Sequence, residues 1–147
     1  MISVEEALDR ILSRVAPLGD ERVALSRSLH RVLAEEVVSP RDMPPWPASS
    51  LGGYGLRSDD TGAAAAGSPT RLAVAGRVPA GAMAERPLRA GEAFRIFTGA
   101  PLPEGADSVI PQEDVTEEGG ALLVPRRVSP GDFVRPRGED MTRGDRV

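Results

Sequence analysis

A mainly β fold with short N-terminal helices is predicted for this 147-residue chain from three features. Sixteen Gly and 14 Pro supply turns at a density that suits many short strands better than a helical bundle. Downstream of residue 70, short apolar segments recur between Gly, Pro and acidic turns. Helical spacing of apolar residues is confined to the first 35 or so residues.

Taken in order, Ser3 followed by Glu6 forms a capping box, and Val4, Ala7, Leu8, Ile11, Leu12 and Val15 then recur on one face. The spacing predicts a helix over 3–15, ended by Pro17 and Gly19. Val23–Leu25 is expected as a short strand, and Ser26 opens a second short helix that carries Leu29, Val32 and Leu33 inward, with His30 on its surface. Val37 and Val38 look extended. Residues 40–55 combine Pro44-Pro45-Trp46-Pro47 with Gly52-Gly53-Tyr54-Gly55 and read as a loop or boundary, because proline removes donors and glycine costs entropy. The segment 62–69, Ala and Gly ending in Ser-Pro, reads as a flexible connection. Strands are then expected at 72–74, 77–79, 93–97, 108–110, 122–124 and 133–134.

Composition excludes several functions. The net charge is -4 and no basic patch stands out, which argues against nucleic acid. All 18 cations are Arg, so Schiff-base lysines and the lysine of a phosphate loop are unavailable. Cys is absent, which removes disulfides, thiolate metal sites and thiol nucleophiles and fits a reducing cytoplasm. Apolar runs fall far short of the roughly 20 residues that span a bilayer, and no secretory signal opens the chain, so no membrane partner is expected. Few thermolabile side chains and many prolines fit either a thermophile or a GC-rich genome.

Candidate sites are few. Thr98-Gly99-Ala100-Pro101-Leu102-Pro103-Glu104-Gly105 places a hydroxyl among small residues, where backbone amides can approach an anion, although a structural turn explains the same residues. The proline stretch 44–47 reads either as a polyproline ligand or as a rigid linker around a buried Trp46, with the linker preferred. Asp59-Asp60, Glu113-Asp114 and Glu139-Asp140 offer oxygen ligands, but adjacent carboxylates on a strand point to opposite faces, so solvated charge is the simpler role and no metal ligand is assigned. His30 is the only histidine, which removes histidine triads and histidine zinc clusters.

The run Arg95-Ile96-Phe97-Thr98-Gly99-Ala100-Pro101-Leu102-Pro103-Glu104-Gly105-Ala106-Asp107-Ser108-Val109-Ile110, followed by Gln112-Glu113-Asp114, is very similar to the signature of the molybdopterin molybdenumtransferase family. Collinear similarity extends to the opening helix, Arg31-Val32-Leu33-Ala34-Glu35, Pro44-Pro45, Gly53-Tyr54, Arg57, Asp60-Thr61, Ala80-Gly81 and Gly138-Glu139-Asp140. The same module occurs in gephyrin. The resemblance implies an elongated β-rich pair of subdomains, one built from 1–45 plus 115–147 and the other inserted at 46–114. The family's α/β nucleotide-binding domain and C-terminal β domain are expected to be absent from this chain.

The resemblance further implies molybdenum cofactor biosynthesis, with molybdate entering adenylylated molybdopterin as AMP leaves. Magnesium and molybdate serve the full-length family enzyme, and neither is expected tightly bound here. Thr98 matches the threonine that this region contributes to catalysis, and Thr98, Gly99, Ala100 and Ser49 are the implied cofactor-binding positions. A homodimer in the cytoplasm is implied too. One departure stands out: where the family reads Phe-Asp-Asn-Ser-Ala-Met-Asp-Gly-Tyr-Ala, this chain reads Trp46-Pro47-Ala48-Ser49-Ser50-Leu51-Gly52-Gly53-Tyr54-Gly55. Gly52 stands where the family has an active-site Asp, and His30 replaces a family glycine. The chain alone is therefore expected to be inactive, and a non-catalytic paralogue that dimerises or scaffolds is the alternative.

Overall fold

The apolar segments do become strands, and most share one sheet. In chain order they are β1 (Ala48–Ser49), β2 (Gly53–Leu56), β3 (Thr70–Val78), β4 (Glu92–Ile96), β5 (Ser108–Pro111), β6 (Thr116–Glu118), β7 (Ala121–Val124) and β8 (Val134–Arg135). The computed structural model describes residues 2–147. Six strands line up as β5-β2-β4-β3-β7-β6, with every pairing antiparallel except β3–β4. A register shift between Val74 and Gly76 bulges β3 at Ala75. β1 and β8 form a separate two-stranded ladder.

Both faces of the sheet are covered. One carries Tyr54, Leu56, Leu72, Ala93, Ile110, Leu122 and Val124, closed by Val128. The other carries Val78, Phe94, Ile96 and Val109, packed by Leu88 and Ala100 from the adjoining loops. Small aliphatics thus supply most of the core, and only two aromatics, Tyr54 and Phe94, are buried. Gly53 shows why glycine was accepted into a central strand: a Cβ there would fall 2.1 Å from the Ile110 carbonyl oxygen, whereas one on Gly55 would make only ordinary contact with Pro103 at 3.5 Å. The stretch 40–55, expected as loop, therefore holds β1 and all but one residue of the four-residue β2. Trp46, expected to be buried, is 40% exposed. β6 was not anticipated, because Thr116-Glu117-Glu118 has no apolar residue and is held by pairing along β7.

Contacts divide the chain once, after Val37. Within the first unit, Ser3 caps a single helix, α1 (Val4–Leu12), its hydroxyl accepting the Glu6 N–H at 3.1 Å. The helix stops three residues short of the expected 15. Instead of a strand at 23–25 and a second helix from 26, there is a single 3-10 turn at Leu25–Arg27. Leu29, Val32 and Leu33 are exposed rather than inward. His30 adopts φ 65°, the left-handed conformation that favours glycine, instead of lying in a helix. No residue of 2–37 is buried, so the periodicity that promised a packed helix has nothing in its own unit to pack against.

In the second unit, its first and last segments meet. Val38 bridges Arg146, Met43 bridges Met141, and β1 pairs β8, so 38–49 runs antiparallel to 134–146. Asp42 fastens this arrangement by accepting the Arg143 N–H at 2.8 Å and an Arg137 guanidinium N–H. Those two contacts, the backbone one first, hold its carboxyl below the usual range.

Candidate functional site

The Thr98 turn sits where β4 leaves the sheet, and strand β1 holds it. Gly99 N–H donates to the Ser49 carbonyl at 2.8 Å, Ser49 N–H to the Ala100 carbonyl at 2.9 Å, and Leu102 N–H to the Pro47 carbonyl at 2.9 Å. Gly99 has φ 78°, which explains the glycine. Ser49, Thr98, Gly99 and Ala100 are thus brought together, though not equally. Ser49 is fully buried and its hydroxyl donates to the Leu51 carbonyl at 2.6 Å. Ala100 is buried as well, and its N–H closes the turn on Phe97 at 2.9 Å. Thr98 and Gly99 are exposed, and the Thr98 hydroxyl has no hydrogen-bond partner among the described residues. The Gly99 and Ala100 amides are committed to the fold, so an incoming anion meets the Thr98 side chain rather than a backbone cradle.

Position 52 lies at the same end of the sheet. β2 and β4 pair Gly53 with Ile96, so the next residues outward are Gly52 and Phe97, with Thr98 one step further. On the other side, the Gln112 N–H donates to the Gly52 carbonyl at 3.4 Å. Gly52 is not in the left-handed region, and a Cβ added there meets nothing within 4 Å. A side chain at 52 would therefore project into open space beside Thr98.

Sequence reasoning missed the cation at this end. Arg95 lies in β4 directly opposite Tyr54 of β2, its guanidinium 5.2 Å from the Tyr54 ring centroid and 4.9 Å from that of Phe97. One of its nitrogens donates to the Gly53 carbonyl at 2.7 Å and to the Ile96 carbonyl at 3.0 Å, and the other donates to the Gln112 side chain. An arginine between Phe94 and Ile96 in a strand was the available signal, since such a residue must be held by neighbours. Asp107 was also missed. It accepts the Ser58 N–H at 2.8 Å, the Ser58 hydroxyl at 2.7 Å and the Ser108 hydroxyl at 2.9 Å. Desolvation acts to raise its carboxyl, but these donors outweigh it and hold the group below its ordinary value.

The acidic pairs are dispersed. Asp60 accepts the Gly91 N–H at 2.9 Å, Asp114 pairs Arg126 at 2.8 Å, and Glu139 and Asp140 both hold Arg135 at 2.6 Å. Among the described residues no three His, Asp or Glu side chains converge on a metal position. No helix among them is long and apolar enough to cross a membrane. A shallow cavity of about 250 Å³ lies away from Thr98, lined by Pro69, Glu113, Asp114, Thr116 and Leu123 among others.

Comparison with known proteins places this fold in a family. The chain belongs to the family described as MoeA N-terminal region (domain I and II), which matches residues 2–147. Molybdopterin molybdenumtransferase of Synechococcus elongatus is 40% identical over 98% of this chain and 36% of its own length. The Bacillus subtilis enzyme of that name is 37% identical over 97% of this chain and 34% of its own. A crystal structure of a molybdopterin biosynthesis moeA protein from Pyrococcus horikoshii OT3 superposes with a TM-score of 0.91 at 38% identity, covering 97% of this chain and 38% of that one. The chain thus spans about a third of the length of these relatives.

Proposed function

We propose that this chain is the N-terminal portion of an enzyme of molybdenum cofactor biosynthesis, contributing Thr98 to a site where molybdate enters adenylylated molybdopterin and AMP is released. The observation that carries this reading is the match over 2–147 together with the exposed, unpartnered Thr98 beside position 52. Magnesium and molybdate belong to the full-length enzyme, with magnesium stabilising phosphate charge and Thr98 positioning a ligand oxygen. Taken alone, residues 1–147 are inactive. Incubating the purified chain with adenylylated molybdopterin, magnesium and molybdate tests this, and AMP release at the rate of an intact relative would overturn it.

Gly52 favours a second reading, a non-catalytic module that dimerises or scaffolds, since the position has room for a carboxylate and carries none. Joining residues 1–147, as wild type or Gly52→Asp, to the remaining domains of a working relative separates the two. Restoring a catalytic carboxylate should accelerate insertion by roughly 10- to 1000-fold. Equal rates in both chimeras would remove the main support for lost catalysis.

The proposal includes a cytoplasmic homodimer. Its support is the apolar set Val4, Leu8, Ile11, Leu12, Leu25, Val32 and Leu33, all exposed on 2–37. Light scattering at several concentrations checks it, and a concentration-independent monomer mass would count against it. The partition into a subdomain of 1–45 plus 115–147 and an insert of 46–114 belongs to this reading as well, supported by the bridges Val38–Arg146 and Met43–Met141 between the two end segments.

A further inference from the structure

Gly52 and Thr98 need fixing from outside themselves. Gly52 has no side chain to pack, and glycine gives up more backbone freedom on ordering than any other residue. On the β5 side it is held by the Gln112 N–H at 3.4 Å, beyond the usual span of about 2.7–3.2 Å for such a bond. The Thr98 side chain is exposed, and β1 reaches its turn only at Gly99 and beyond, starting with the 2.8 Å bond from Gly99 to Ser49.

Arg95 touches a neighbour of each position. One guanidinium nitrogen donates to the carbonyl of Gly53, which follows Gly52, at 2.7 Å, and to the Ile96 carbonyl at 3.0 Å, so it straddles the last β2–β4 pair. The other donates to the side chain of Gln112, whose own amide donates to Glu113 at 2.9 Å. The guanidinium carbon stands 4.9 Å from the ring centroid of Phe97, which precedes Thr98, and the Phe97 carbonyl accepts the Ala100 N–H that closes the turn. Tyr54, with its centroid at 5.2 Å, backs the same group. One half-buried planar cation thus ties together the end of β2, the end of β4 and the 3-10 turn Gln112–Asp114. A lysine could not do this, because its ammonium is a point charge with no fork to span separate acceptors and no flat face to lie against rings.

We propose that Arg95 is the positioning residue of this site, a brace that fixes position 52 and Thr98 relative to one another. It acts through Gly53, Phe97 and Gln112 rather than by meeting substrate. That the braced positions serve molybdenum insertion rests on the function proposed above, whereas the brace itself is tested without turnover.

The test is 15N relaxation on the 147-residue chain as wild type, Arg95→Gln, Arg95→Lys and Gln112→Ala. In wild type the backbone order parameters of Gly52, Phe97, Thr98 and Gln112 should stand near the rigid value of about 0.85, and in both Arg95 variants they should fall below about 0.6. Gly99, held by β1, and Leu72 and Leu122 in the core should stay rigid throughout. Gln112→Ala, at an exposed position, keeps the test decisive where an Arg95 variant does not fold: it should loosen Gly52 and leave Thr98 rigid. In the chimera with the remaining domains of a working relative, Arg95→Lys should lower kcat about tenfold or more while KM changes less than about twofold. Loss of order with unchanged kcat would count against the function proposed above and still support the brace. Three results would each overturn the brace: unchanged order at Gly52 and Thr98 in Arg95→Gln, an equal fall at Leu72 and Leu122, or full recovery in Arg95→Lys. A rigid Gly52 in Gln112→Ala would overturn it as well.

Discussion

Tyr54 on β2 and Glu117 on β6 stand four strands apart in the sheet order, yet the Tyr54 hydroxyl donates to a Glu117 carboxylate oxygen at 2.5 Å. In a flat sheet four strand spacings separate two residues by about 19 Å. The sheet must therefore curl until its sixth strand faces its second, which encloses the cluster of Leu56, Leu72, Ile110 and Leu122. Curling brings the β6 edge near β2, and this hydrogen bond ties across the gap.

Replacing Tyr54 with Phe should cost ~1 kcal/mol, the net value of one hydrogen bond whose acceptor is half in water. Burial, then the bond to Glu117 and its charge, raises the Tyr54 pKa. A raised pKa in the fold contributes stability that is complete below the unfolded value near 10 and fades as pH climbs past it. Urea denaturation from pH 8 to 11 should show a fall for wild type that is flatter in Tyr54→Phe. Parallel curves would refute the assignment.

Asp107 predicts the opposite limb. Its depressed carboxyl contributes stability present above the unfolded value near 4 and lost as pH falls through the folded one. Asp107→Asn should lower stability at pH 7 by roughly 1–3 kcal/mol, because three donors lose a charged acceptor, and should weaken the acid dependence below pH 4. Denaturation midpoints across pH 2–7 decide it.

Neighbouring glycines should respond in contrary ways. Gly53→Ala puts a Cβ 2.1 Å from a backbone oxygen of β5, so β2 must shift, at a cost of roughly 3 kcal/mol. Gly52→Ala meets nothing and needs no left-handed φ, so it should be neutral or stabilise by about 0.5 kcal/mol. Thermal melts of the two variants compare them directly. Similar melting points would contradict the packing described for β2.

Apolar faces not covered within residues 2–37 should leave α1 weakly protected in the monomer, because a nine-residue helix is marginal without tertiary contacts. Hydrogen exchange of its amides should be far faster than that of β2 or β4 at low protein concentration, and should slow as concentration rises if a second copy covers it. Uniform protection at all concentrations would contradict this.

Much of the fold was legible in the chain itself. Ser3 and Glu6 marked the start of α1, the short apolar segments at 93–97, 108–110 and 122–124 marked β4, β5 and β7, and the 95–114 run carried the family. Those signals are local: a cap, an alternation, a motif. The chain could not announce β6, whose residues are all polar and are strands only because β7 offers them hydrogen-bond partners. Nor could it place Gly53 in a central strand, since the reason is a carbonyl oxygen 57 residues away in sequence, at Ile110. Apolar periodicity overstated the helices of 2–37 because amphipathicity records a face to be covered and says nothing of what covers it. At the site, Thr98 came from the motif, but its isolation as the one unpartnered hydroxyl in its turn, with open space at position 52 and Arg95 held opposite Tyr54 nearby, was decided by strand pairing. Pairing brings together residues that the one-dimensional order keeps apart, and for that reason only the tertiary structure could assemble them.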